Sequence, residues 1–143
     1  MLRRDFVQRA PAAAGLVLGA ASLPLTGCAG APYLAPRVSP EGLLVRAADV
    51  GPDGVFLQAP SMERPVWVGR DASGEPVALL AACTHQGCQP EPVGDRLVCP
   101  CHGSEFDRTG AVLEGPAERP LVRYEVGRRD DDLIVRVPAQ GAP

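Results

Sequence analysis

The chain has 143 residues, enough for one domain with appendages and a modest core. Its formal charge of −3 gives a nucleic acid no basic surface to bind, although every one of its 14 basic residues is Arg. Sixteen Gly, sixteen Pro and 4% aromatics argue against a helical bundle and fit short strands joined by turns. No internal repeat is visible.

In chain order, Met1 to Arg9 carries Arg3, Arg4 and Arg9 against a single Asp5, and "APAAAGLVLGAASLPL" (10–25) then follows without a charge. A basic start and a short apolar run describe an export signal. Its 16 uncharged residues would reach roughly 24 Å as a helix, short of a ~30 Å hydrocarbon core, and Pro24 would interrupt that helix. The adjacent Arg3 and Arg4 of "LRRDFV" resemble a twin-arginine export signal. "LTGC" (25–28) resembles a lipoprotein cleavage site, which makes Cys28 a candidate for lipidation. The Ala/Pro-rich "AGAPYLAPR" (29–37) reads as a tether on which a small domain would swing near a membrane.

From Leu43 the pattern turns to apolar runs cut by Gly, Pro and Asp. "LLVRA" (43–47), "GVFLQA" (54–59), "PVWVG" (65–69) and "PVALLAA" (76–82) predict strands, with turn chemistry in "GPDG" and "DASGE". "LVRYEV" (121–126) and "LIVRV" (133–137) predict a hairpin whose solvated turn is the charge cluster from Arg128 to Asp132. Trp67 is expected in the core. The fold class is therefore all-β, a small antiparallel sandwich or barrel, with a cysteine-rich insertion straight after its fourth predicted strand.

That insertion, "CTHQGCQPEPVGDRLVCPCHGSEF" (83–106), holds four of the five cysteines and both histidines. Cys83 and His85 are one residue apart, and Cys99 and His102 are two apart, so each pair sits on one tight loop. A hairpin around "GDRLV" (94–98) brings the loops to a common centre, with Cys88 and Cys101 left over, one per loop. Three chemistries use such side chains. A disulfide scaffold would pair all four cysteines but leaves the two histidines without a reason. A zinc site of two Cys and two His is sensible chemistry, but the alternating order Cys, His, Cys, His is unusual for it. A two-iron, two-sulfur cluster takes thiolates on one iron and imidazoles on the other.

"CTHQGC" followed by "CPCHGSEF" resembles the two signature boxes of the Rieske iron–sulfur family, strongly from Cys83 to about Ala117 and weakly outside. The resemblance implies a 2Fe-2S cluster with Cys83 and Cys99 on one iron and His85 and His102 on the other. It also implies the Cys88–Cys101 disulfide of the high-potential branch. Gly87 and Gly103 would permit the loop turns and let backbone N–H groups approach the cluster sulfurs, and Pro100 would stiffen the second loop. Ser104 matches a serine that donates to a bridging sulfide, a bond that raises the potential. Gly115 and Pro116 resemble the start of a Pro-loop covering the cluster. Phe106 departs from the highest-potential members, which carry Tyr there to bond a ligand sulfur.

The implied domain plan is an export signal over 1–27, a tether over 28–38, a Rieske domain over 39–138 with its cluster-binding part at about 82–118, and a flexible tail over 139–143. The implied function is one-electron transfer by a membrane-tethered protein on the periplasmic, outer face of the bacterial cytoplasmic membrane. Its partner would be a cytochrome or an oxidoreductase subunit, with quinol a further candidate. The alternative is a Rieske subunit of a larger oxidoreductase, such as a quinol–cytochrome c reductase or a molybdenum oxidase of the arsenite oxidase kind. A ring-oxygenase ferredoxin fits less well, because those lack the second cysteine pair and an export signal. No independent catalytic site stands out, and a zinc-binding structural module is the outsider.

Overall fold

Twelve short strands carry the fold of residues 30–138, the part of the chain that the computed structural model describes. The expected export signal with Arg3 and Arg4, the Cys28 lipidation site and the tail 139–143 lie outside the described residues. The strands are β1 (Tyr33–Leu34), β2 (Arg37–Ser39), β3 (Gly42–Arg46), β4 (Val55–Leu57), β5 (Val66–Arg70) and β6 (Pro76–Leu80). They continue with β7 (Glu91–Val93), β8 (Arg96–Val98), β9 (Glu105–Asp107), β10 (Val112–Glu114), β11 (Arg123–Arg129) and β12 (Asp132–Arg136). The six strands predicted from sequence correspond to β3, β4, β5, β6, β11 and β12. Among the described residues no helix is long and apolar enough to cross a membrane.

Eight strands form one sheet in the order β1-β4-β5-β6-β11-β12-β3-β2, antiparallel except for the parallel β1/β4 pair. Its two edges, β1 and β2, are consecutive in the chain with only Ala35 and Pro36 between them. Three Cα steps of 3.8 Å bring the edges within about 11 Å of each other, so the sheet must curl into a barrel. The expected all-β barrel is present.

Strand periodicity then decides which side chains fill it. Val55 and Leu57 of β4, Val66 and Val68 of β5, and Ala78 and Leu80 of β6 join Leu43, Val45, Tyr124, Leu133 and Val135 in one buried cluster. The alternate residues Phe56, Trp67, Val77 and Leu79 face the other way into a second cluster with Cys83, Leu97, Cys99 and Phe106. Strands β4 to β6 are thus buried on both faces, which is why they read as near-continuous apolar runs. Each fully buried aliphatic or aromatic side chain there contributes about 1.5–3 kcal/mol. Trp67 is 1% exposed, as expected for a core residue, and its Nε1 donates to the Asp53 carbonyl at 3.0 Å. Gly69 is needed beside it, since a Cβ there would stand 2.2 Å from Trp67 Cζ2.

The second cluster is covered by a smaller antiparallel sheet, β10-β9-β8-β7, inserted between β6 and β11. Its three-residue strands leave no separate apolar run in the sequence, and the hairpin expected around 94–98 is the β7–β8 hairpin, turning at Gly94 and Asp95.

Two expectations need correction. Residues 33–34 and 37–39, within and at the end of the expected tether, are strands paired to β4 and β3. The Ala and Pro that suggested a free linker are compatible with edge strands, where unpaired backbone groups face solvent. The hairpin turn is also tighter than expected: Arg128 and Arg129 continue β11, Asp132 opens β12, and only Asp130 and Asp131 lie between the paired Arg129 and Asp132. A two-residue connection matches the twist of two long antiparallel strands.

Candidate metal centre

Two loops carry the cysteines and histidines, the first leading from β6 to β7 and the second from β8 to β9, and their backbones repeat one pattern. The Cys83 N–H donates to the Cys88 carbonyl at 2.7 Å, and the Gly87 N–H returns to the Cys83 carbonyl at 2.7 Å. In the second loop the Cys99 N–H donates to the Ser104 carbonyl at 2.8 Å, and the Gly103 N–H returns to the Cys99 carbonyl at 3.0 Å. Both closing glycines have the left-handed φ the turn requires, +76° at Gly87 and +78° at Gly103. This likeness was not legible in the letters, because the histidine sits two residues after the cysteine in one loop and three in the other.

The two loops bring like side chains together, thiol beside thiol and imidazole beside imidazole. Cys83 and Cys99 are free thiols, 3% and 1% exposed, in the second core cluster. His85 is half-buried and His102 exposed, with ring centroids 4.8 Å apart and rings perpendicular. The two remaining cysteines, Cys88 and Cys101, form a disulfide that cross-links the loops. Cys88, Cys99 and Cys101 have sulfurs within 4.8 Å of one another, but two of the three are committed to that disulfide and have no thiolate to offer.

Burial pushes the Cys99 thiol above its ordinary range; backbone hydrogen bonds from Cys101 and His102 act against this, and the neighbouring Cys83 adds to the rise. A buried thiol pair of this kind gives up its protons to a metal rather than to water. His85 Nδ1 is buried and, among the described residues, has no hydrogen-bond partner. Two thiols and two imidazoles, one nitrogen of which lacks a partner, fit the donor set of a histidine-ligated two-iron cluster.

The segment after β10 is tied to both loops. Gly115 and Pro116 are exposed, while Ala117 is 4% exposed and its N–H donates to Ser104 Oγ at 3.0 Å. Ser104 is completely buried, and its hydroxyl keeps a proton to donate. From the first loop, Thr84 Oγ1 donates to the Arg119 carbonyl at 2.6 Å. Each cluster loop thus holds this segment by one hydrogen bond; Thr84, between Cys83 and His85 in "CTHQGC", carries no signal of this role in the sequence, because its partner is 35 residues away. Pro100 is exposed on the second loop, and Phe106 is fully buried beneath both cysteines' cluster. Two open cavities of about 610 and 670 Å³ lie elsewhere, and none of the four metal-capable side chains lines them.

A family model for the Rieske [2Fe-2S] domain matches residues 42–125, well over half of the chain and all of both loops. The chain belongs to the Rieske [2Fe-2S] domain family. Among curated relatives of this Rieske chain, cytochrome b6-f complex iron-sulfur subunit 2 of Nostoc sp. strain PCC 7120 is 44% identical over 70 residues, covering 48% of this chain and 39% of that protein. The cytochrome b6-f complex iron-sulfur subunit of Chlorobaculum tepidum is 35% identical over 66 residues, covering 45% of this chain and 36% of that one. The chain therefore spans about two-fifths of the length of these curated relatives. Among solved structures, the plasma membrane Rieske protein PetC3 of the cyanobacterium Synechocystis PCC 6803 superposes with a TM-score of 0.57 at 35% identity. That match covers 64% of this chain and 95% of the Synechocystis chain. The all-β fold, the Cys88–Cys101 disulfide and the 2Fe-2S cofactor all stand within this family.

Proposed function

We infer that this Rieske protein is a one-electron carrier, exported and held at the outer face of the bacterial cytoplasmic membrane, with Cys83 and Cys99 ligating one iron and His85 and His102 the other. The observation that carries the ligand assignment is the donor set itself, above all the buried, partnerless Nδ1 of His85 beside His102. A 2Fe-2S cluster bound there supplies reversible uptake of a single electron.

The chain's own residues tune that property. Two thiolates with two neutral imidazoles leave the oxidised site near neutral, so an added electron meets less repulsion than among four thiolates. The Ser104 hydroxyl, fixed by the Ala117 N–H, has its proton free for a sulfur acceptor. Exposed His102 is the port at which an electron enters or leaves, while Phe106 and the second core cluster keep water from the thiolate side. A single zinc ion suits this arrangement less. Four donors at zinc bond lengths of about 2.0–2.3 Å stand under 4 Å apart, whereas no three of Cys83, His85, Cys99 and His102 bring their ligand atoms within 4.8 Å of one another.

Membrane attachment rests on the signal-like start of the sequence and Cys28. A folded, metal-loaded domain suits the twin-arginine route, and the disulfide suits an oxidising compartment. The partner in this reading is a cytochrome or another oxidoreductase subunit, or quinol. A second reading, a subunit of a larger complex, is favoured by relatives named as cytochrome b6-f subunits. Electron paramagnetic resonance and iron analysis of the reduced protein, purified from its native membrane with whatever accompanies it, separate these readings. One histidine-ligated 2Fe-2S centre in the isolated chain is the expected result. A stoichiometric cytochrome b partner would favour the complex, and zinc or no metal in matured protein would remove the electron-transfer reading.

A further inference from the structure

Residues 31–34 do not lead away from the domain. β1 pairs in parallel with β4, with Phe56 N–H donating to the Pro32 carbonyl at 2.8 Å and Gln58 N–H to the Leu34 carbonyl at 3.1 Å. Ala31, 7% exposed, sits in the same core cluster as Cys83 and Cys99. The Tyr33 ring stacks on Phe56 at 5.1 Å between centroids. Its hydroxyl crosses to the metal-binding part of the molecule, 2.9 Å from Oε1 and 2.6 Å from Nε2 of Gln89, the residue next to disulfide-bonded Cys88. Gln89 Nε2 is in turn 2.8 Å from Glu91 Oε1 on the edge strand β7. A Cβ on Gly30 would lie 3.6 Å from the other Glu91 carboxylate oxygen, so the incoming chain reaches the domain beside β7.

We propose that residues 31–34 form a latch that fixes the domain in one orientation on the membrane, its β7 flank toward the lipid surface, instead of letting it swing on a linker. The proposal rests on the membrane-attachment reading above and adds how that attachment is geometrically constrained. An unpaired tether over 28–38 would span roughly 35 Å, but with the latch closed only three residue steps, about 11 Å, separate Cys28 from Ala31. A leash of that length cannot turn a domain over. The latch also couples the attachment point directly to the first metal-binding loop through Tyr33 and Gln89. The site is therefore presented to partners at one height and one angle, which favours a small mobile donor or acceptor that comes to it.

Two measurements on the full chain in its own membranes test this. Hydrogen exchange reads the latch without reference to the metal. The Phe56 and Gln58 amides are expected to be protected in the wild type and to exchange at least tenfold faster in Tyr33→Ala and in Gln89→Ala, both changes being on partly exposed side chains. Amides that exchange freely in the wild type would overturn the latch. Paramagnetic resonance of the reduced centre in stacked, oriented membranes reads the orientation. The signal is expected to vary with the angle between field and membrane, and to lose that variation in Tyr33→Ala or with six Gly/Ser residues inserted between Ala29 and Gly30. An angle-independent wild-type signal, or variation that survives Tyr33→Ala, would overturn the proposal while leaving the electron carrier intact. Release of the protein from washed membranes would remove both the attachment reading and the orientation. Absence of any cluster signal would strike the carrier reading, leaving exchange to judge the latch.

Discussion

Phe106 puts a fully buried aromatic ring next to Cys83 and Cys99, where the highest-potential members of this resemblance carry a phenol. The ring fills the space but donates nothing to a sulfur. Phe106→Tyr is expected to raise the midpoint potential in a redox titration, because a donor to a thiolate sulfur stabilises the more negative reduced state. An unchanged or lower value would refute that role. Ser104 acts at the same scale, since its Oγ accepts from Ala117 and its hydroxyl keeps a proton to donate. Ser104→Ala should lower the potential and also leave the Ala117 N–H buried and unpaired. The second effect is expected to cost about 1–3 kcal/mol in denaturant unfolding of the holoprotein.

At the scale of elements, two hairpin turns repeat one design, "DASGE" between β5 and β6 and "DRTGA" between β9 and β10. Asp71 accepts from Ser73 N–H, Ser73 Oγ and Glu75 N–H at 2.6–3.0 Å, and Asp107 accepts from Thr109 N–H, Thr109 Oγ1 and Ala111 N–H at 2.7–3.0 Å. Burial works to raise the Asp107 carboxyl, but the Thr109 hydroxyl and the backbone N–H groups outweigh it and hold the group below its ordinary range. At Asp71 the Ser73 hydroxyl is the main cause of the same lowering. A carboxylate whose pKa is depressed on folding stabilises the fold above its unfolded pKa, and the contribution is lost as pH falls through the folded value. Asp107→Asn should therefore lower the melting temperature at neutral pH. It should also flatten the decline in stability below about pH 4, measured by thermal unfolding across pH.

At the scale of the molecule, the barrel and the metal-binding sheet are joined through the second core cluster and by Arg108. Its guanidinium donates to the Pro52 carbonyl on the barrel at 2.6 Å and to the Gly94 carbonyl in the β7–β8 turn at 2.5 Å. It also lies 5.8 Å from the Trp67 ring centroid. One side chain thus fastens the hairpin that brings the two loops together. Arg108→Ala is expected to destabilise the protein by about 1–3 kcal/mol in denaturant unfolding. Arg108→Lys should recover only part of it, since an ammonium lacks the planar fork that serves two carbonyls at once. A full rescue by Lys would show that charge alone matters there.

The metal-capable residues, the loops that carry them and the six main strands were legible in the amino-acid sequence because their signals are local. Cys and His types at short spacing, apolar alternation and Gly/Asp turns all act within a few residues. Phe106 and Ser104 were legible for the same reason, lying a few positions from Cys99 and His102. The tertiary structure alone decided where the remote partners meet. Tyr33 finds Gln89 and Arg108 finds Pro52 across 56 residues of chain, and neither spacing leaves any pattern in the letters. It also decided that Tyr33–Leu34 and Arg37–Ser39 are sheet edges and not a tether. Two- and three-residue strands are stabilised by the neighbour they pair with, and Ala- and Pro-rich chain reads the same whether or not such a neighbour is present.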